Sequence, residues 1–227
     1  MKKLILVSLL ALALSPLAAN AQDAPKTQET PAKTPEVAAP KSQDGHEYSA
    51  LTEQTVNYKN WSLVDLKTEK PADLRSLIAG KKLVLLVYFA PWCHNWRNEA
   101  PIAAKLYEKY KKQGFQVIGI SEYATRDEVT SFFAPDGPPY PIVTESESRE
   151  EKEKTLHYEY RQLTGDKRNW GSPWNIFLEP AKVNAKGDVL AEKAWVVNGE
   201  LIEDEVDKFI ASKLTPVSAG LIEPCKN

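Results

Sequence analysis

Cys93 stands in the stretch Phe89-Ala90-Pro91-Trp92-Cys93-His94-Asn95-Trp96, just after the apolar run Leu83 to Phe89 and at the head of a segment with helical pattern. A thiol at such a junction meets the free N–H groups of a helix's first turn, where the helix dipole favours an anion. Both effects stabilise the thiolate, the nucleophilic form of cysteine. His94 adds a neighbour able to carry positive charge. The position therefore suits a nucleophile whatever residue follows. Three residues on, where a second thiol would complete a Cys-x-x-Cys pair, the chain has Trp96.

Cys225, close to the C-terminus, is the other cysteine. It permits two readings: a structural disulfide with Cys93, or a distant resolving thiol. The tail beyond Leu214 reaches roughly 35 Å at ~3.3 Å per residue, so a meeting with Cys93 is within range at some cost in loop entropy. The three histidines, His46, His94 and His157, lack the spacing of a metal site. His157, on a charge-rich helix, is expected to face solvent. His94 is expected to tune Cys93 or to join it on a soft metal, a set of ligands too small to define a metal site. The chain carries neither a phosphate loop nor a dinucleotide fingerprint, and no cofactor is expected.

These residues need a frame, and 227 residues suffice for one core with appendages. A net charge of −2 argues against a nucleic-acid binder. Residues 1–21 read as a cleavable targeting segment: Lys2 and Lys3, an apolar stretch from Leu4 to Leu14, and Ala19-Asn20-Ala21 as a small-x-small cleavage site. The apolar stretch is too short for a spanning helix, so no integral membrane segment is expected after cleavage. Export to a periplasmic or secreted location follows, with an oxidising environment for the cysteines. Residues 22–45 are rich in Pro, Ala, Lys, Thr and Glu and nearly devoid of large apolar side chains, which predicts a disordered linker.

A globular domain is expected over 46–214, with a tail over 215–227. Tyr58 to Leu66 suggests a strand or hairpin arm, and Pro71 to Ala79 a short helix stopped by Gly80. Leu83 to Phe89 and Phe115 to Ile120 are continuous apolar runs of the kind found in strands buried on both faces. Between them Asn95 to Gln113 predicts a helix, interrupted at Pro101. Arg126 to Phe133 (a helix), Tyr140 to Val143 (a short strand), Trp174 to Leu178 and Val189 to Val196 (two strands around a turn at Gly187-Asp188) and a final amphipathic helix complete the order. Such alternation implies an α/β fold with a central mixed sheet flanked by helices and an N-terminal extension.

With Trp92-Cys93-His94-Asn95-Trp96-Arg97-Asn98-Glu99-Ala100-Pro101 in hand, the chain resembles the exported TlpA/ResA-type redoxins, whose signature is W-C-x-x-C-R-x-E-x-P. Every position of it matches except the second cysteine. Downstream, Gly171-Ser172-Pro173 resembles the family's G-x-P, in which the proline is cis and faces the reactive thiol. The resemblance covers roughly residues 50 to 214 and implies a thioredoxin-like fold. It implies that Cys93 is the nucleophile in thiol–disulfide exchange and that Ser172 and Pro173 meet the bound peptide. Glu99 matches the family's buried acid, which assists proton transfer; a helix glutamate stabilising the first turn is the other reading. The partners implied are protein or peptide thiols and disulfides, with an external thiol or a membrane electron donor.

With Trp96 in place of the second cysteine, four outcomes stand. Cys93 acts as a monothiol reductase or isomerase released by another thiol; Cys225 resolves it; Cys93 is peroxidatic, although Ala90 stands where peroxidases need a hydroxyl; or the domain only binds. Trp92, Trp96, Trp170 and Trp174 flank the cysteine and the cis-proline loop, so they are expected to form an aromatic rim for an apolar peptide or acyl-type ligand. Trp92, His94, Trp96, Ser172, Pro173 and Trp174 are thus the candidate binding residues, with a core position as the other reading of Trp174.

Overall fold

A computed structural model describes residues 41–43 and 45–215. The targeting segment, most of the linker, Cys225 and the tail beyond Thr215 lie outside the described residues. Where the linker was expected to continue to residue 45, Lys41–Gln43 form strand β1, paired antiparallel with β2 (His46–Ser49). Backbone hydrogen bonds to a neighbouring strand supply there what the composition could not.

The long apolar runs become the two central parallel strands, β6 (Leu83–Phe89) and β7 (Phe115–Ser121), buried at every position. Three further strands precede them: β3 (Thr52–Lys59), β4 (Ser62–Asp65) and β5 (Pro71–Asp73). Beyond them lie β8 (Ile142–Thr144), β9 (Trp174–Leu178), β10 (Val189–Val197) and the short β11 (Glu200–Leu201). The eight-stranded mixed sheet has the order β3-β10-β9-β6-β7-β8-β4-β5, and a second small sheet the order β1-β2-β11. The helices are α1 (Leu74–Ile78), α2 (His94–Tyr110), α3 (Arg126–Phe132), α4 (Leu156–Leu163) and α5 (Glu203–Leu214). This is the α/β architecture expected of the sequence.

Alternation along β6 sorts two cores. Leu83, Leu85, Val87 and Phe89 pack with α2 and α5 through Trp96, Leu106 and Ile210. Val84, Leu86 and Tyr88 face a layer that includes Tyr58, Trp61, Leu74, Tyr160 and Trp174.

Two local expectations are corrected. Tyr58 to Leu66 is not one arm: β3 pairs with β10 near one edge of the sheet, whereas β4 pairs with β8 near the other. The link crosses the sheet face, where Tyr58 and Tyr88 share a hydroxyl–hydroxyl hydrogen bond of 2.6 Å and Trp61 Nε1 donates to Tyr58 at 3.0 Å. Pro71 opens an edge strand and not a helix, because an edge tolerates its missing donor. Helix α1 starts at the next capping side chain, Asp73, which accepts from the Ser76 N–H at 3.1 Å.

Candidate active site

Strand β6 ends under the site, and the backbone turns so that Cys93 is the N-cap of α2. Its N–H bonds to Ala90 O at 2.9 Å, and its carbonyl accepts the first helical bond from Arg97 at 3.1 Å. The side chain is partly exposed, and Sγ–H donates to Ser172 O at 3.1 Å. The Ser172–Pro173 peptide bond is cis. Ser172 is pinned from the other side as well, because its Oγ accepts from Ala90 N–H at 2.8 Å. The cis-proline loop and the end of β6 are thereby bonded to each other around one thiol.

A buried ionic frame holds that loop. Asp166 is buried between Arg161 (Nε at 3.1 Å) and Arg168 (Nη2 at 2.8 Å), and Arg168 Nη2 also donates to Pro173 O at 2.7 Å. The two guanidinium groups keep the Asp166 carboxyl below the usual range against the opposing effect of burial. Gly171 takes a left-handed φ of 59°, and a Cβ there would overlap the Arg161 side chain, so glycine is required twice over.

His157 corrects its expected place. It is fully buried, stacked on Tyr88 at 5.1 Å. Nε2 lies 3.1 Å from Gly171 O, which only accepts, so Nε2 carries the proton; Nδ1 then accepts from Tyr123 Oη at 3.0 Å. Burial, then the charge of Arg161, pushes it well below the ordinary histidine value and keeps it neutral. The charge-rich helix suggested a solvent-facing position, but His157 sits on its inner face with Tyr160 and Arg161. Through Tyr123, whose carbonyl accepts from Trp92 Nε1 at 3.1 Å, His157 connects the cis-proline loop to the loop that holds Trp92.

The aromatic rim is smaller than expected. Trp96 and Trp174 are both fully buried. Trp96 stacks on Phe89 at 4.4 Å, and its Nε1 has no protein partner among the described residues. Trp174 donates to Asn198 Oδ1 at 2.8 Å and stacks on Tyr160 at 5.9 Å. The first turn of a helix lying on a sheet points its third residue inward, which the sequence spacing alone does not reveal. Trp92 and Trp170 are partly exposed and meet edge to face at 5.2 Å. Arg149 lies 4.5 Å over Trp92 and Lys152 4.9 Å over Trp170. His94 is exposed, and its ring stacks on His46 at 4.8 Å.

Glu99, in the second turn of α2, is fully buried. Oε2 accepts from Leu201 N–H at 2.7 Å and Asn175 Nδ2 at 3.2 Å. Burial nevertheless pushes its carboxyl up to about 8, the two donors offsetting only part of the desolvation. Of its two readings, a buried acid describes its surroundings. Glu122, which sequence reasoning did not single out, is also wholly buried. Desolvation and the neighbouring Glu145 hold it well above the usual carboxylate range. Neither its position after an apolar strand nor its flanking residues distinguish it in the sequence from a surface glutamate at a loop start.

Among the described residues no group of three or more His, Cys, Asp and Glu could hold a metal, and no helix is long and apolar enough to cross a membrane.

Comparison with known proteins gives three findings. A model of the AhpC/TSA family matches residues 55–160, a stretch that contains Cys93 and ends before the cis-proline loop. No curated protein matches the sequence. Similar solved structures include a thiol:disulfide interchange protein from Bacteroides sp., at 18% identity and a TM-score of 0.52, covering 74% of this chain and 95% of that one. A DsbF homologue from Corynebacterium diphtheriae aligns at 17% identity and a TM-score of 0.50, covering 79% and 96%. These likenesses establish the thioredoxin fold, and residues 55–160 are similar to the AhpC/TSA family.

Proposed function

We propose that this protein is an exported monothiol exchange protein that acts on protein disulfides through Cys93. The observation that carries the reading is one arrangement: a partly exposed Cys93 at the N-cap of α2, 3.1 Å from the carbonyl before a cis-proline, with buried Trp96 where a second thiol would stand. That arrangement supports formation of a mixed disulfide at Cys93, and Trp96 stands where a resolving thiol would otherwise break it.

The Cys93 thiolate attacks one sulfur of a substrate disulfide. A Cys93–substrate bond forms, the substrate S–S bond breaks, and the second substrate sulfur leaves as a thiolate. Release then takes one of two routes. If a different thiolate of the substrate attacks the substrate sulfur of the mixed disulfide, a new substrate S–S bond forms, Cys93 leaves as thiolate and the substrate is isomerised with no net redox change, whereas attack by the original thiolate only reverses the first step. If an external thiol attacks, Cys93 departs as thiolate, and a second external thiol completes the reduction. Ser172 and Pro173 position the substrate backbone, Trp92 and Trp170 flank it, and Glu99 holds a proton beneath the first turns of α2. Cys225 serves as a distant resolving thiol only if a Cys93–Cys225 peptide appears on mild oxidation. Location outside the cytoplasm rests on Lys2, Lys3, the Leu4 to Leu14 run and the Ala19-Asn20-Ala21 site.

Refolding of scrambled ribonuclease and reduction of insulin, with and without Cys93→Ser, test the reading. Activity that depends on Cys93 is expected, and equal activity of the two proteins overturns it. The partly exposed Trp92–Trp170 pair supports a second reading, a module that only binds peptide; it predicts partner capture unchanged by Cys93→Ala.

A further inference from the structure

Two cations sit on the tryptophans that rim Cys93. Both come from the short segment Arg149–Lys154 that leads into α4; Arg149 is exposed and Lys152 partly exposed. The Arg149 guanidinium lies 4.5 Å over the Trp92 ring and Lys152 Nζ 4.9 Å over the Trp170 ring. Trp92 directly precedes Cys93, and Trp170 stands just before the Gly171-Ser172-Pro173 loop, whose Ser172 carbonyl takes the thiol's hydrogen bond. Both backbone segments that bracket the sulfur therefore carry a tryptophan covered by a positive charge.

How these cations are held decides what they offer. Lys154, on the same segment, pairs with Glu151 at 3.3 Å. Lys152 instead donates to Asn169 O and Oδ1 at 3.3 and 3.2 Å, both uncharged acceptors. Arg149 meets Glu128 at 3.6 Å, beyond ordinary hydrogen-bond distance, and the other oxygen of Glu128 is engaged by Thr125 N–H at 2.8 Å in the capping box of α3. Glu147, Glu150 and Glu153 are exposed on or beside the segment and make no ion pair with either cation among the described residues.

An aromatic face orients a cation without neutralising it, so its outward N–H groups stay open to a second partner. The guanidinium keeps a fork that matches a carboxylate. One face of each ring is taken, so an apolar ligand gains less there than one that brings a carboxylate. The chain as a whole carries −2, so a preference for an acidic partner has to come from this local patch and not from the overall field. We propose that Arg149 and Lys152 select substrates whose reacting cysteine is flanked by acidic residues, an extended peptide along Ser172 and Pro173 bringing its carboxylates to the two cations. The inference deepens the proposed function and rests on Cys93 being its nucleophile.

The test uses the full chain carrying Cys225→Ser and three short peptides. Each has one cysteine activated as the 2-pyridyl disulfide and flanked by two aspartates, two asparagines or two lysines. Cys93 Sγ bonds to the peptide sulfur, the disulfide bond to the pyridine breaks, and 2-thiopyridone leaves and is followed by its absorbance. Each rate is divided by that of the same peptide with free cysteine, and the readout is the ratio of aspartate to lysine peptide, in which a change in the thiol itself cancels. The wild type is expected to favour the aspartate peptide by about fivefold or more at low salt, with the preference shrinking toward unity at about 0.5 M salt. Arg149→Gln combined with Lys152→Gln is expected to remove most of the preference, Arg149→Glu combined with Lys152→Glu to invert it, and Arg149→Lys, which keeps the charge, to retain it. Equal rates for the three peptides, or an aspartate preference that survives replacement of both cations by Gln, overturn the inference while leaving Cys93 a nucleophile. A wild-type rate no greater than that of free cysteine with every peptide instead overturns the nucleophile reading, and this inference with it.

Discussion

Replacing Glu99 by Gln isolates the consequence of burying an acid in the core. The folded chain holds a proton on Glu99 up to about pH 8, whereas an unfolded chain releases it near 4.5. Between those values the native state binds one proton more than the unfolded state, so stability must fall as pH rises. The contribution is fully present below 4.5 and is lost as pH passes through about 8. Each pH unit in that window is worth about 1.4 kcal/mol, so the full effect is at most about 5 kcal/mol. At pH 7 the buried acid costs about 3 kcal/mol relative to one that could ionise freely. The amide of Glu99→Gln would keep an oxygen to accept from Leu201 and Asn175 and would not titrate. The assay is urea unfolding of both proteins from about pH 5 to 8.5, plotted as the difference in unfolding free energy. Glu122 and His157 titrate alike in the two proteins and cancel in that difference. The wild type is expected to lose stability relative to the variant by about 4 kcal/mol across the range, with a plateau above pH 8. A difference that does not change with pH refutes the assignment of a buried, proton-holding acid.

Other perturbations read other parts of the site. Trp96→Cys places a thiol three residues after Cys93 at the cost of a cavity, about 3–5 kcal/mol by analogy with aromatic truncations. Thiol titration after mild oxidation should show a disulfide between Cys93 and the introduced thiol, and insulin reduction should be faster than in the wild type. Gly171→Ala puts a Cβ into the Arg161 side chain at a φ of 59° and should lower stability by about 2 kcal/mol or more, together with Cys93 reactivity. His157→Phe should cost about 1–3 kcal/mol in thermal or chemical unfolding by leaving the buried Gly171 O without its His157 donor and Tyr123 Oη with only the longer contact to Thr155 Oγ1 at 3.4 Å. It should also flatten the acid side of the stability profile. The histidine's folded value lies below its unfolded one, so the wild type loses stability as pH falls below about 6.5, and the variant should not share that loss.

What the sequence determined by itself is what local chemistry fixes. Leu83–Phe89 and Phe115–Ser121 are apolar almost throughout, and only a strand with both faces covered uses such a run, so the sheet's centre was legible. A thiol after one of these strands and before a helical pattern had to lie at a helix N-terminus. Glu99 and the Gly171-Ser172-Pro173 loop were legible only through their resemblance to a known pattern. The tertiary structure decided everything that depends on which side of an element faces inward. Trp96 and Trp174 went to the core and left Trp92 and Trp170 at the rim, because the sheet lies beneath α2's first turn and claims its inward residue. His157 went inside because α4 turns that face toward Tyr88 and the cis-proline loop. His46 and Glu200 are separated by more than 150 residues and meet only because β2 pairs with β11 beside α2. Side-chain periodicity carries the local order of elements, but contacts between distant segments arise from packing, which no local pattern encodes.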